Sequence, residues 1–375
     1  MKILMLADPG SAHTIKWVNY LVKKNIEVYL FGMSDFNAEN YTESKLLKID
    51  SLKIGNRVFT KTDGAFSKIN YLKAVPRIKK IIGEFKPDIL HSHYASSYGF
   101  LGALSKFHPY IISVYGSDVF NFPQKNIFNK TILKFNLSKA NKILSTSNVM
   151  VKEIENYSSK YIEVIPFGID LDLFKPFIPQ NNFFEKNDIV IGTVKTLEEK
   201  YGIEYLIRAF MLVKEHHPEI PLKLLIVGKG TKEIYYKKLV SELGISELTK
   251  FTGFISPQEI PFYHNLIDIS VFVSLEESFG VSVLEASACA KPVIVSNAGG
   301  LPEIVENNKT GIIVEKQNVE ETAAAIEKLL LDKPLRTKFG NFGRERVRAH
   351  FNFNNNVNQM INIYDKILSK EILKD

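Results

Sequence analysis

Glu277 and Glu285 stand eight residues apart in the stretch EESFGVSVLE. On one unbroken helix of ~3.6 residues per turn, both carboxylates would share a side. Two acids on one face are ordinarily a solvated surface, but the neighbouring sequence points elsewhere. The stretch follows the apolar run DISVFVS and precedes another, PVIVS. A helix between two such strands must begin near Phe279 or Gly280. Glu277 then lies in the loop at a strand's carboxyl end, and Glu285 lies about two turns further on. Free amides at a helix start suit a phosphate or a sugar hydroxyl, and Gly280 permits close approach. A carboxylate can accept two hydrogen bonds from a vicinal diol, which fixes orientation without doing chemistry.

The elements that must position these groups are legible as two series. KILMLA, IEVYLF, DILHSH, YIISVY, NKILST and YIEVIP are expected strands of the first. DIVIGTV, LKLLIVG, KFTGF, DISVFVS, PVIVS and GIIVE are those of the second. Helical stretches alternate with them, and apolar strands in that rhythm indicate parallel sheets covered on both faces. The expected fold is α/β: two doubly wound, Rossmann-like domains whose strand ends face each other across a cleft. The chain of 375 residues exceeds the usual size of one core. The expected division is 1–176, 177–350 and a terminal helix, 351–375, returning toward the first domain. SPQEI (256–260) should open a helix, with Ser256 as cap, Pro257 in first position and Glu259 as capping-box partner.

Composition excludes several classes. With 45% hydrophobic and 24% charged residues, the chain is of the ordinary globular kind. No apolar run reaches the ~18 residues of a membrane span. The apolar start of MKILMLADPG ends at Asp8, too early for a secretory signal, and reads as a buried strand. The single cysteine, Cys289, excludes an internal disulfide, suggests a reducing compartment and reads as a helix-packing residue.

The block EESFGVSVLEASACAKPVIVSNAGGLPEIVENNKTG closely resembles the E-x7-E signature of glycosyltransferase family 4, and PDILHSHYASSYG, VYGSD, VIPFGIDLDLF, IGTVKTLEEKYGIEYLIRAF and LLIVGKG follow that family's order. The resemblance implies the GT-B fold and a retaining, metal-independent transferase that takes its sugar from a UDP- or GDP-linked donor, with no cofactor. The acceptor would be a glycan or lipid-linked molecule of cell-surface polysaccharide or glycolipid synthesis, in the cytoplasm. By the same resemblance, Glu277 would contact the transferred sugar and Glu285 the nucleotide ribose. The amides around Phe279, Gly280 and Val281 would bind sugar and diphosphate. Gly10 and His13 would border the diphosphate and the acceptor.

A departing diphosphate needs positive charge where its own charge develops. The family supplies an Arg and a Lys after the second domain's first strand. Aligned without gaps, these fall on Thr196 and Tyr201; Lys195 and Lys200 each stand one position earlier. They read as replacements through a shifted loop, with Lys200, nearer the following helix, the more important, or else as solvated lysines. In HSH, strand alternation puts His91 and His93 on one side, with His93 nearer the loop. His93 matches the family histidine near the donor sugar; the competing reading is a packed strand-end histidine. Gly299 and Gly300 in GGLPE read as a tight turn before a helix started by Pro302.

Other patterns are weaker. Asp170 and Asp172 form a D-x-D that ligates metal in other glycosyltransferases, but here it lies in the linker, and no metal is expected. VGKGTKE is half of a dinucleotide fingerprint and reads better as a phosphate- or base-proximal loop. A nucleotide-sugar 2-epimerase shares the fold but resembles this block poorly. A glycoside hydrolase would need its carboxylates ~5–9.5 Å apart across one bond. Residues 1–176 carry 24 Lys/Arg against 15 Asp/Glu, but no nucleic-acid motif accompanies the charge. Within it, KINYLKAVPRIKKIIGEFK holds Lys68, Lys73, Arg77, Lys79, Lys80 and Lys86 among apolar residues. It reads either as a covering helix or as a basic amphipathic stretch lying on an anionic membrane surface, peripheral to the inner face.

Overall fold

The computed structural model describes residues 1–54, 66–180 and 183–369. The side chains of 66–72, Lys68 among them, lie outside the described residues. The chain divides into two units, residues 1–166 with 356–375, and residues 167–355.

In the first unit the described strands are β1 (Lys2–Leu6), β2 (Glu27–Gly32), β3 (Leu47–Ser51), β4 (Ile89–His93), β5 (Tyr110–Val114), β6 (Lys142–Ser145) and β7 (Ile162–Val164). They form one parallel sheet in the order β3-β2-β1-β4-β5-β6-β7. In the second unit β8 (Ile189–Val194), β9 (Leu222–Val227), β10 (Thr249–Phe251), β11 (Ile269–Phe272), β12 (Val293–Ser296) and β13 (Gly311–Val314) run parallel in the order β10-β9-β8-β11-β12-β13. Central strands such as β4 and β5 are buried at every residue, because helices cover both faces. The strand not foreseen, β3, is an edge: LKIDS has no fully buried residue and alternates polar with apolar.

In each sheet the strand order reverses once, between β1 and β4 and between β8 and β11. Loops leaving the carboxyl ends of such a strand pair diverge to opposite faces and leave a crevice for ligand. The loop after β1 carries Gly10 and β4 ends on His93; the loops after β8 and β11 carry Lys195 and Glu277.

Three expectations are corrected here. The units divide at Pro166/Phe167, not at 176/177. Ile169 N–H donates to Phe351 O at 2.7 Å, Phe353 N–H donates back to Ile169 O at 3.1 Å, and the Phe167 ring lies 5.7 Å from that of Phe279. The segment after Pro166 therefore packs within the second unit. The helix Phe353–Leu368 belongs to the first unit from Asn356 onward, with Tyr364 fully buried there. Second, SPQEI does not open the helix. Residues 257–259 make a turn closed by Glu259 N–H to Ser256 O, and Ser256 Oγ donates to the Glu259 carboxylate instead of capping. The helix begins at Ile260, with Pro261 in its first turn. Third, over its described side chains, Lys73–Phe85, the basic helix Phe66–Phe85 turns its apolar side to the sheet and not to a membrane. Ala74, Ile78, Ile81 and Phe85 are buried in the core, leaving Lys73, Arg77, Lys79 and Lys80 on the outside. Among the described residues no helix is long and apolar enough to cross a membrane.

Candidate active site

In the second domain the residues converge on the switch between β8 and β11. Lys195 is the first residue after β8, and its Nζ lies 2.5 Å from Glu277 Oε2, with both side chains 12% exposed. The ammonium also sits 4.3 Å from the Tyr201 ring centroid. Tyr201, where the family pattern has a lysine, thus supplies a π face to the lysine one loop earlier. Lys200 is different. Its side chain is exposed, with Nζ 5.0 Å from the Tyr201 ring centroid, while its backbone oxygen accepts from Leu275 N–H at 2.8 Å and Glu276 N–H at 3.2 Å. Lys195 is the cation at Glu277, and Lys200 holds the glutamate loop by its main chain. This geometry favours Lys195, the opposite of the order expected from loop position, because Lys200 turns its side chain to solvent.

The helix Val281–Ala288 starts as expected. Gly280 caps it at φ 111°, a conformation that favours glycine, and a Cβ there would come within 2.7 Å of Leu301. The N–H groups of Val281 and Ser282 precede the first intrahelical bond, from Val283 N–H to Gly280 O at 3.1 Å. Phe279 offers only its backbone, since its side chain is buried against Phe167 and Phe351. Glu285 lies in the second turn, its Oε2 3.4 Å from Nε2 of the fully buried His264. Sequence reasoning missed His264: the helix Ile260–Leu266 that carries it was anticipated from SPQEI, but no motif singles out the histidine.

Gly299 and Gly300 form the bed on which the Glu277 loop rests. Gly300 N–H donates to Glu277 O at 3.0 Å, and a Cβ on Gly299, at φ 50°, would stand 1.8 Å from that oxygen. Gly299→Ala must therefore displace the loop. The expected loss is about 2–4 kcal/mol of second-domain stability, with donor turnover falling alongside. Thermal unfolding and turnover both matching the parent protein would contradict this.

The other glycine-rich loop packs on the same strand end. Cβ atoms at Gly228 and Gly230 would come within 2.1 Å of Lys195 O and 2.4 Å of Leu197 O, so VGKG supports the Lys195 loop. Asp170 accepts from the N–H groups of Asp172 at 3.0 Å and Leu173 at 3.2 Å, closing a turn. Among the described residues no three His, Cys, Asp or Glu side chains are grouped to hold a metal ion. Cys289 is buried, and burial pushes its thiol up to about 12.

In the first domain, His93 at the end of β4 borders a pocket of about 350 Å³ together with Asp8, Ser11, Thr14, Ser34, Tyr94 and Tyr115. The ring is 3% exposed. Its Nδ1 lies 2.7 Å from the Tyr115 hydroxyl, and Nε2 has no hydrogen-bond partner among the described residues. His91, on the same side with ring centroids 4.5 Å apart, is held between Tyr364 Oη at 2.7 Å and Ser113 Oγ at 2.8 Å. His91 is thus the packed histidine and His93 the one with an open nitrogen. Gly10 lies in the exposed turn after β1, its N–H donating to Asp8 Oδ1 at 2.9 Å, and His13 lies in the first turn of the helix Ala12–Lys23. Buried Asp118, in VYGSD, accepts from the N–H groups of Ala95 at 2.6 Å, Tyr115 at 3.2 Å and Gly116 at 2.8 Å. It ties the loops after β4 and β5 together. Tyr115 and Asp118 were missed as individual residues, although their motif was noticed.

Burial, and secondarily the charge of His13, lowers the His93 pKa to about 3. Burial and His93 likewise place His91 well below its ordinary value. Both histidines are neutral when folded, so below pH ~6.5 the unfolded chain binds more protons than the folded one. Stability is therefore complete above that pH and is lost as pH falls toward 3. His93 alone should cost about 2 kcal/mol at pH 5. The single tryptophan, Trp17, is buried in this domain and reports on it. Its urea midpoint should fall between pH 7 and pH 5, and less so in His93→Asn. An unchanged midpoint would contradict the assignment.

Comparison with known proteins decides the family. A model described as "Glycosyl transferases group 1" matches residues 174–346, and one described as "Glycosyl transferase 4-like" matches residues 2–147. The chain belongs to this glycosyltransferase family. A D-inositol 3-phosphate glycosyltransferase of Corynebacterium jeikeium is 30% identical over 239 residues, spanning 60% of this chain and 57% of that protein. Among solved structures, sucrose-phosphate synthase from Thermosynechococcus elongatus superposes with a TM-score of 0.84 at 22% identity, covering 98% of this chain and 99% of its own. Anabaena HepE in complex with UDP gives 0.79 at 18% identity, covering 98% and 100%. These likenesses identify the fold of the glycosyltransferase as GT-B.

Proposed function

We propose that this glycosyltransferase moves a sugar from a nucleotide-diphosphate sugar to a glycan or lipid-linked acceptor with retention of configuration. The observation that carries the reading is the Lys195–Glu277 pair beside the start of the Val281–Ala288 helix. An ammonium and free amides suit diphosphate oxygens, and a carboxylate suits a sugar diol. UDP bound by the similar Anabaena protein supports a nucleoside diphosphate as leaving group. The bond from the anomeric carbon to the phosphate oxygen breaks as the acceptor oxygen bonds to that carbon from the same side. The acceptor's proton passes to the departing phosphate oxygen. Glu277 holds the sugar as positive charge develops on it, Lys195 holds the phosphate, and Glu285 takes the ribose. Neutral His93, with Tyr115 donating to Nδ1, presents its Nε2–H to a sugar oxygen. Gly10 and His13 border the acceptor side.

The test is release of nucleoside diphosphate from a panel of UDP- and GDP-sugars. One donor should turn over, and excess EDTA should change its rate by no more than about twofold, since lysine and amides replace a metal's electrostatic role. Strict dependence on added Mg2+ or Mn2+ would contradict the metal-independent reading. The basic first domain further supports reversible association with an anionic inner membrane face, in keeping with a lipid-linked acceptor and a cytoplasmic enzyme.

A further inference from the structure

In the Phe66–Phe85 helix Ala74, Ile78, Ile81 and Phe85 are buried, so a surface for a membrane is to be sought elsewhere among the described residues. Among the described residues, the largest exposed apolar side chains of the first domain's helices lie on another one, Ile127–Lys139. Ile127 is 68% exposed, Phe128 76% and Phe135 36%. Lys125, Lys130, Lys134 and Lys139 are exposed beside them, with Lys139 Nζ 5.5 Å from the Phe135 ring. From Val119 to Lys152 the chain holds six lysines and no acidic residue. Among the described residues none of those four lysines forms a salt bridge. The helix's opposite side is fixed, with Leu133, Asn136 and Leu137 buried.

We infer that the outer face of this helix docks on an anionic lipid bilayer. Projecting apolar side chains ringed by unpaired lysines are what an interfacial site requires: the rings enter the headgroup boundary while the ammonium groups meet lipid phosphates. The aliphatic Ile127 beside Phe128 favours lipid over nucleic acid, where only the ring would stack. A second copy meeting the same patch by twofold symmetry would bring like charges together. The position is also useful to the enzyme. Asn136 Nδ2 donates to Ala95 O at 2.9 Å and Ser96 O at 3.2 Å, so the docking helix holds the loop leading from His93 along the candidate pocket. This inference deepens the proposed membrane association and is independent of the transfer chemistry.

Vesicles of phosphatidylcholine with and without about one-third phosphatidylglycerol, sedimented with the full chain, test it. The protein should bind the anionic vesicles at low salt and be released at high salt, where screening weakens the lysines. Ile127→Ser with Phe128→Ser, and separately Lys130→Glu with Lys134→Glu, should each lower the partition coefficient at least about tenfold. Lys79→Glu with Lys80→Glu should lower it less than about threefold. Trp17 unfolding and donor hydrolysis, unchanged in the variants, establish that they are folded. Loss confined to the Lys79/Lys80 variant would overturn the assignment to this helix while leaving membrane association standing. Equal recovery of the parent protein in the supernatant with both vesicles would overturn both, with the transferase reading still judged by donor hydrolysis. Equally tight binding to single-stranded RNA, abolished by Phe128→Ser, would reassign the patch to nucleic acid.

Discussion

Glu277→Gln is expected to lower kcat by about 100-fold or more while donor KM changes little. The substitution keeps size and hydrogen-bonding capacity but removes the charge that stabilises a developing oxocarbenium ion. Because it also removes the ionic partner of Lys195, far-UV circular dichroism should be recorded to establish that the fold persists. Glu285→Gln should behave differently. Its carboxylate sits two turns down the helix beside His264, where a ribose contact contributes nearly equally to ground and transition states, so donor KM rises and kcat stays close to the parent value. A Glu277→Gln enzyme with normal kcat would remove Glu277 from the chemistry.

The second large effect is expected at Lys195. Lys195→Ala should reduce kcat/KM by about 100-fold, through loss of the charge facing the departing diphosphate and through a Glu277 carboxylate left largely buried without its partner. Lys200→Ala should stay within about threefold, because the exposed side chain is removed while the backbone oxygen that holds Leu275 and Glu276 remains. Steady-state kinetics on the two variants decide between the lysines. A greater loss at Lys200 would restore the ranking that loop position alone suggested.

These contrasts show where the sequence was sufficient. Parallel strands such as ILHSH and VIVS open on apolar residues, are buried throughout and alternate with helical stretches, so their positions were readable from local pattern. Their carboxyl ends follow from the alternation with helices, which is why Glu277, Gly280, Glu285 and His93 could be placed. The edge strand Leu47–Ser51 was not readable, since its half-exposed residues carry no continuous apolar run. Nor was His264, whose relation to Glu285 depends on the packing of two helices. The different surroundings of Lys195 and Lys200 depend on side-chain direction within one irregular loop, which no periodicity encodes. Gly299 and Gly300 were recognised as architectural, but only the fold shows that what they support is the Glu277 loop.

The most direct test of the account needs no acceptor. Glycosyltransferases that hold a nucleotide sugar can pass the sugar slowly to water, and proton NMR identifies the anomer first released. With an α-linked donor, the parent protein should form the α-sugar and nucleoside diphosphate together, before mutarotation, and Glu277→Gln should form neither at a comparable rate. First release of the β-anomer, or equal turnover by Glu277→Gln, would contradict a retaining transfer centred on Glu277 and Lys195.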